Sequence, residues 1–227
     1  MLIDLHTHTS QLSSCSSLTL AELILQSRAA GLDGICVSEH DKMWSAAEIA
    51  RAAETYDFCV LRAMEVSTTQ GHVLVYGLPA PMSGLWSLRR LREVADEHGA
   101  VLIKSHPLRD GNFQIRPNGT PQDAMGDLLA MFDAFEIYSG GESDAANALS
   151  ESIAQTYGLK GTGGGDVHAL SEVGRFATRF EYTIRSEADL VTELRSGRFV
   201  AEDLRTKGEG ETVKKQGKRG NGEKAES

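Results

Sequence analysis

The sequence has few cysteines and no long apolar segment. Its three cysteines form no Cys-x-x-Cys pair, and Cys36 and Cys59 lie inside apolar runs. An odd number of cysteines in that setting disfavours a disulfide framework and is typical of small buried thiols. No segment approaches the roughly 18 consecutive apolar residues of a membrane helix, and the start at Met1 has no basic leader pattern. These absences predict a cytoplasmic protein without membrane contact.

The sequence also lacks a net positive charge. The 227 residues carry a formal charge of −9. The last 22 residues hold six of the basic and four of the acidic side chains, so residues 1–205 carry −11. A broad basic groove that binds a nucleic-acid backbone by counterion release is therefore disfavoured. A small anion, or a short nucleic-acid end, remains compatible with this composition.

The composition divides the chain into two parts. A hydrophobic content of 41% and a charged content of 24% fit one ordinary domain with a substantial core. From Thr206 onward the chain consists mostly of Lys, Glu and Gly, which cannot bury enough apolar surface to fold. We therefore expect a folded domain over 1–205 and a flexible charged tail over 206–227.

Short apolar runs alternate with helical patterns along the folded part. The runs that predict strands are 2–5, 34–38, 58–64, 73–78, 100–104, 132–138 and 159–163. Capping signals predict helices over 19–30, 45–55, 86–98, 142–157 and 186–196. This regular alternation implies an α/β fold with a mostly parallel sheet, either closed as a barrel or open and doubly wound. In both cases the site is expected at the carboxyl ends of the strands.

Histidines and carboxylates follow those strand ends. Seven such side chains are candidates for one shared rim: His6, His8, His40, Glu65, His106, Asp166 and His168. A single histidine is usually structural, but convergence on one rim indicates ligands for zinc, iron or manganese. His72 starts a strand instead, and it reaches the rim only if Thr68–Gly71 form a hairpin-like turn. Arg109 is either a bidentate phosphate ligand or a loop residue paired with Asp110 or Glu142.

Six short motifs in this order resemble those of the PHP (polymerase and histidinol phosphatase) superfamily. They are Asp4-Leu5-His6-Thr7-His8, Ser38-Glu39-His40-Asp41, Met64-Glu65, Gly71-His72, Ser105-His106-Pro107-Leu108-Arg109 and Asp166-Val167-His168. The resemblance implies a distorted seven-stranded, TIM-like (β/α) barrel over 1–205 that binds two or three divalent metal ions. It also implies the ligand sets: His6, His8, Glu65 and Asp166 for one ion, Glu65, His72 and His106 for the second, and His40 and His168 for the third.

The sequence departs from the family pattern at two places. The family usually offers an Asp or His near Ser13–Ser16 for the third metal, so that site is expected to be weak, to use Cys15 or to be completed by water. Glu39 stands where the family commonly has Asp, which leaves it a supporting or proton-transfer role.

The resemblance implies hydrolysis of a small phosphorylated substrate, either a phosphomonoester or a short phosphodiester. Glu65 would bridge two ions, and His168, His40 or the third ion would assist the leaving oxygen. Two other functions stay open. One is hydrolysis of C–N bonds, as in amidohydrolase barrels, which typically use a lysine ligand on a middle strand. The other is a non-catalytic metal-binding module. A nuclease is a further possibility within the phosphoesterase class.

Overall fold

The computed structural model describes residues 1–109 and 125–205. Within these residues the chain forms nine strands and six α-helices. In chain order they are β1 (Leu2–Thr7), α1 (Leu20–Ala29), β2 (Gly34–His40), α2 (Ala46–Tyr56), β3 (Cys59–Thr68), β4 (Gly71–Tyr76), α3 (Leu88–His98), β5 (Val101–Lys104), α4 (Met125–Leu129), β6 (Ala134–Ser139), α5 (Asp144–Tyr157), β7 (Lys160–Gly164), β8 (Phe176–Phe180), α6 (Glu187–Ser196) and β9 (Phe199–Asp203). All seven predicted strands and all five predicted helices are present. The predicted tail, 206–227, lies outside the described residues.

The capping signals in the sequence mark real helix ends. Thr19 and Glu22 cap α1 reciprocally, because each side chain bonds the backbone N–H of the other residue. Ser45 and Glu48 form the same box at the start of α2. Gly99, Gly158 and Gly197 end α3, α5 and α6 in the left-handed region. Local side-chain chemistry therefore accounts for most helix boundaries.

The sheet runs in the order β7-β6-β5-β4-β3-β2-β1-β8-β9. The expectation of a mostly parallel sheet is only half right, because β4 is antiparallel to both β3 and β5, and β8 is antiparallel to both β1 and β9. The β3–β4 connection is the hairpin on which the position of His72 depended, with Thr68 opposite Gly71 and Ser67 opposite His72. The tight turn leaves no room for a crossover helix, so β4 must reverse direction.

The sheet curls into a nearly closed, distorted TIM-like barrel, which rules out the open alternative. Backbone bonds join His8 N–H to the Val167 carbonyl at 3.1 Å and Val167 N–H to the His6 carbonyl at 3.2 Å. The Thr178 hydroxyl in β8 accepts from Gly163 N–H at 3.0 Å and donates to its carbonyl at 2.9 Å. The end of β7 therefore meets β1 and β8. Strands β8 and β9, which the sequence analysis missed, supply this closing edge.

The glycine run before Asp166 allows this close approach. A Cβ at Gly163 would come within 2.5 Å of the Ala177 carbonyl oxygen, and one at Gly164 within 2.6 Å of the His6 Cβ. Neither glycine has a positive φ. The bend occurs at Asp166 itself, with φ of 45°.

An apolar cluster fills the barrel beneath the carboxyl ends of the strands. Leu61 and Ala63 of β3 alternate onto one face with Glu65, and they pack with Ile103 and Tyr76. Helix α6 adds Leu190 and Leu194 to the same cluster. Two further clusters lie under the other helices, one with α1 and α2 and one with α3 and α5. In the part of the chain that the structure describes, no helix has both the length and the apolar character that crossing a bilayer requires.

Candidate metal centre

The structure brings the predicted histidines and carboxylates together at one end of the barrel. His6 lies in β1 and His40 ends β2, whereas Glu65 lies in β3 and His72 lies in β4. The others follow strand ends: His8 after β1, His106 after β5, and Asp166 and His168 after β7. Three groups of these residues have donor atoms within 4.8 Å of one another: His6, His8, Glu65 and Asp166; His40, Glu65 and His72; and His8, His40 and His168.

The four residues His6, His8, Glu65 and Asp166 form the most buried group. His6 Nε2 lies 3.4 Å from Glu65 Oε2 and 3.3 Å from Asp166 Oδ1, and His8 Nε2 lies 3.4 Å from both of these oxygens. None of these four buried atoms makes a hydrogen bond within the described residues. A tetrahedral ion held at about 2.0–2.1 Å has ligand–ligand edges of about 3.3–3.4 Å. The separations and the donor types therefore fit one divalent ion of the zinc class.

Glu65 also faces a second set of donors with its other oxygen. Its Oε1 lies 2.8 Å from His106 Nε2, 3.2 Å from His72 Nδ1 and 3.1 Å from the Ser105 hydroxyl. Its Oε2 belongs to the four-residue group and also lies 3.0 Å from His40 Nδ1. One fully buried carboxylate thus stands between two sets of imidazoles. This is the arrangement that a bridging ligand requires.

The third set contains His8 in addition to the expected His40 and His168. Ring centroids of His40 and His168 lie 4.4 and 4.5 Å from that of His8. Cys15 is exposed and belongs to none of the donor groups found among the described residues. Ser13 accepts from His40 N–H at 3.2 Å, and Ser16 donates to the His8 carbonyl at 3.0 Å. These two serines therefore bond the backbones of the histidines. They occupy the segment in which the family usually offers an Asp or His ligand.

Glu39 supports the same loop. It is fully buried and accepts from Thr9 N–H at 3.2 Å, from the Ser13 hydroxyl at 2.5 Å and from Trp44 Nε1 at 2.9 Å. These contacts tie the end of β2 to the loop that follows β1. They favour the supporting role for Glu39 over proton transfer.

Burial and charge set the protonation of the four-residue group. Burial opposes the ionisation of Glu65, but His6, His106 and His40 hold its pKa well below the usual range. Burial also acts against Asp166, yet His6 and His8 lower its pKa. Burial lowers the pKa of His8 to about 4, despite the neighbouring carboxylates. Burial opposes the protonation of His6, but Glu136, Asp166 and Glu65 raise its pKa well above the usual range. The site therefore presents ionised carboxylates and a neutral His8, and a metal ion must displace a proton from His6.

Two of the candidate ligands have a strained backbone. The φ angles of His106 and Asp166 are 25° and 45°, in the left-handed region that residues with a Cβ rarely occupy. Such residues cost on the order of 1–3 kcal/mol each and persist only where the surroundings impose them. Both angles occur where the chain leaves a strand and turns its side chain into the site.

Arg109 lies at the edge of the centre. Its guanidinium contacts Asp166 Oδ2, and its backbone N–H donates to Glu142 Oε1 at 2.8 Å. Gly141 makes room for this contact, because a Cβ there would overlap both the Arg109 guanidinium and Asp166. The structure thus pairs Arg109 with the carboxylate of a candidate ligand; the Asp110 alternative lies outside the described residues.

Three further buried residues with ionisable side chains lie beside the centre: Glu136, which the sequence analysis missed, and Lys104 and Asp4, to which it assigned no role. Glu136 contacts His6 Nδ1 at 3.0 Å and accepts from His106 N–H at 2.8 Å. Lys104 donates from Nζ to the carbonyls of His72 and Ser105, both at 3.0 Å. Asp4 accepts from the backbone N–H groups of Gly165 and His6, and burial raises its pKa to about 7. For Glu136 the available signal was a carboxylate inside an otherwise apolar strand.

Comparisons with known proteins agree with this architecture. A family model described as a PHP domain matches residues 4–107, and one described as PHP-associated matches residues 144–199. Together the two matches cover most of the chain. No curated protein matches at a significant level. Among solved structures, 28 chains match.

Three of these structures indicate the breadth of the likeness. A candidate metal-dependent phosphoesterase from Bifidobacterium adolescentis has 15% identity and a TM-score of 0.59, with 85% of this chain and 95% of that chain covered. The second is a two-domain protein from Bacteroides vulgatus that contains a predicted PHP-like metal-dependent phosphoesterase. It has 17% identity and a TM-score of 0.67, over 90% of this chain and 65% of that one. An amidohydrolase from Chromobacterium violaceum, with bound sulfate and no metal, has 17% identity and a TM-score of 0.61, over 87% and 97%. At these identities the likeness shows the fold alone.

Proposed function

Because the chain belongs to the PHP domain family, we propose that it is a metal-dependent hydrolase of phosphoesters, acting on phosphomonoesters or on short phosphodiesters such as nucleotides. The observation that carries the proposal is a set of four buried nitrogen and oxygen atoms that could bind a metal ion. They face one another, and none of them makes a hydrogen bond within the described residues. Leaving one such polar atom unsatisfied costs on the order of 1–3 kcal/mol, so a bound ion gives the arrangement its physical reason.

The residues fit two or three divalent ions of zinc, manganese or iron. His6, His8, Glu65 and Asp166 would hold the first, Glu65 with His72 and His106 the second, and His40 with His168 the third. Imidazole nitrogens combined with carboxylate oxygens suit these metals better than magnesium or calcium. When bound, such ions supply an activated water and neutralise charge that develops on a phosphoryl group.

The open side of the centre decides where a substrate approaches. The side chains of His40, His72 and His168 are 25–34% exposed, whereas those of His6 and His8 are fully buried. The Arg109 side chain is 39% exposed beside the same opening. A phosphoryl group entering here would meet the partly exposed histidines together with the planar donors of Arg109.

The hydrogen bond of His168 limits its part in catalysis. His168 Nδ1 lies 2.8 Å from the Asp166 carbonyl, which can only accept, so Nδ1 carries the proton. In the neutral ring Nε2 therefore has a lone pair, suited to metal binding or to accepting a proton. His168 would donate a proton to a leaving oxygen only as an imidazolium. His40, whose Nδ1 faces Glu65, is the alternative donor.

The substrate class follows from size and charge. Residues 1–205 carry a formal charge of −11, so attraction for an anion must come from the metal centre and Arg109 rather than from a wide surface. A small phosphorylated substrate fits this local source of positive charge better than an extended nucleic acid.

Hydrolysis of C–N bonds is the second candidate, and the amidohydrolase name of one structural neighbour motivates it. The feature that argues against it is Lys104, the buried lysine on β5. Its Nζ donates to the backbone carbonyls of His72 and Ser105, a contact that supports the loops and differs from that of a metal ligand. A non-catalytic module would be expected to have lost ligands. Here only the Ser13–Ser16 position lacks one, and the eight candidate residues are present.

The test is a metal measurement followed by a substrate panel. We expect elemental analysis of carefully purified protein to give more than one equivalent of transition metal. Phosphate release should then occur from small phosphomonoesters or nucleotides after reconstitution with manganese, zinc or iron, while N-acyl amino acids and dipeptides remain intact. Turnover of the amides alone would favour the second candidate. Failure to take up metal on titration would reject the metal centre.

A further inference from the structure

Glu136 is a fully buried carboxylate in the middle of β6. Its Oε1 lies 3.0 Å from His6 Nδ1, and its Oε2 accepts the backbone N–H of His106 at 2.8 Å. His6 belongs to the four-residue group, whereas His106 faces the other oxygen of Glu65. One side chain that is itself in none of the donor groups therefore contacts residues on both sides of the bridging carboxylate.

The chemistry of these two contacts is one-sided. A backbone N–H can only donate, and an ionised carboxylate can only accept. In a neutral His6 ring, the nitrogen that faces Glu136 must therefore carry the proton. The lone pair is then on Nε2, the atom 3.3–3.4 Å from Asp166 Oδ1 and Glu65 Oε2.

We propose that Glu136 is the positioning residue of the metal centre, which fixes the His6 tautomer for metal binding and anchors the His106 loop at the same time. The inference rests on the proposed metal centre, since His6 and His106 are its candidate ligands. Metal-binding histidines commonly donate their second N–H to such a carboxylate, which orients the ring and raises its basicity.

The neighbouring strand is shaped around this pair. A Cβ at Gly164 of β7 would lie 2.5 Å from Glu136 Oε1 and 2.6 Å from the His6 Cβ. Any larger residue would have to displace one of the two partners. The glycine therefore preserves the Glu136–His6 contact as well as the closure of the barrel.

Glutamine is the discriminating substitution at this position. Glu136→Gln keeps the size and shape of the side chain but offers one acceptor and one donor to two partners that both donate. The amide oxygen can satisfy His106 N–H only if the amide N–H points at His6 Nδ1. That contact favours the tautomer with the proton on Nε2, where the metal must bind. We expect zinc affinity to fall about tenfold to a hundredfold.

The experiment measures zinc binding by competition with a chromophoric chelator, using the full chain. Glu193→Gln is the matched control. Glu193 is also buried, but it bonds Arg198 and lies in α6, which carries none of the candidate ligands. We expect the control to stay within about twofold of wild type, because it lacks the contacts of the ligand shell. Equal zinc affinity in wild type and folded Glu136→Gln would overturn the inference. Absence of zinc binding in the wild type would instead reject the proposed metal centre.

A second measurement does not depend on whether the variant folds. Nitrogen-15 NMR of the zinc-bound wild type should show His6 protonated at Nδ1 and not at Nε2. The reverse tautomer would overturn the inference. Gly164→Ala should weaken zinc binding in the same direction, whereas Gly126→Ala should leave it unchanged, since a Cβ there meets only Tyr157 at an ordinary 3.7 Å.

Discussion

At the scale of single residues, Glu65 is the carboxylate shared by two of the three candidate ligand groups. It is fully buried, its two oxygens face different imidazoles, and those imidazoles keep it ionised against the effect of burial. The role proposed for Glu65 therefore needs both its negative charge and its two equivalent oxygens, and a neutral side chain of the same size would not replace it.

Glu65→Gln is expected to abolish phosphoesterase activity while the fold is kept. The amide has nearly the same volume, but it loses the charge and turns one of the two facing atoms into a donor. We expect a loss of at least about a hundredfold in turnover, together with less than the wild-type metal content. Steady-state kinetics, elemental analysis and circular dichroism measure these three quantities. Near-normal turnover in a folded variant would remove Glu65 from the site.

Arg109 makes a contact that the sequence did not predict, while its role in phosphate binding stays a prediction. Its guanidinium contacts Asp166, yet its exposed position beside the opening still suits a phosphoryl oxygen. Arg109→Lys keeps the charge and loses the planar fork, so the specificity constant for a phosphoester should fall about tenfold to a hundredfold, as expected for one charge-assisted hydrogen bond. Metal content should remain close to wild type.

The control for that variant is Arg90→Lys, which alters an exposed arginine paired with Glu93 on α3. It should have wild-type kinetics, because exposed pairs contribute little. If Arg109→Lys and Arg109→Ala both match wild type on the best phosphoester, Arg109 does not bind substrate.

At the scale of elements, the loops after the strands do more than connect them. The loop between β6 and α5 carries Gly141, which lies against Arg109 and Asp166. The loop after β1 carries Ser13 and Ser16, which bond the backbones of His40 and His8. Each loop therefore braces side chains that belong to other strands.

Gly141→Ala tests this bracing. The added methyl group would overlap the Arg109–Asp166 contact, so either the arginine or the loop must move. We expect a fall in the specificity constant in the same direction as for Arg109→Lys. Gly126→Ala in α4 is the matched control, because its methyl group would make only an ordinary contact with Tyr157. Kinetics indistinguishable between the two variants would show that the Arg109–Asp166 contact is dispensable.

At the scale of the whole molecule, Arg205 at the end of the described range is held by contacts with the barrel. Arg205 pairs with Asp203 and with Asp144, and it lies over the Phe176 ring at 4.5 Å. The barrel proposed for 1–205 thus closes on contacts of its own. Residues beyond it supply no histidine or cysteine, and few apolar anchors.

Deletion of 206–227 is therefore expected to leave metal content and turnover of a small substrate unchanged. Net charge becomes more negative, which should weaken any residual attraction for polyanions and nothing else. Comparison of the truncated and full-length chains by elemental analysis and kinetics is the measurement. A large loss of either property would mean that the tail takes part in the site.

The sequence by itself determined the elements and the candidate ligands. Helix caps such as Thr19–Glu22 and histidines at strand ends depend on residues close in the chain, so their physical meaning can be recognised locally. The eight candidate ligands accordingly lie together in the structure, and the hairpin that His72 required is present.

Only the tertiary structure decided which atoms face one another. The contacts of Glu136 with His6 and of Arg109 with Asp166 join residues 130 and 57 positions apart, and they depend on the closure of β7 against β1 and β8. The direction of β4 likewise follows from its pairing partners. A charged residue inside a strand has the same local pattern whichever partner it meets, because strand register and barrel curvature are properties of the assembled sheet.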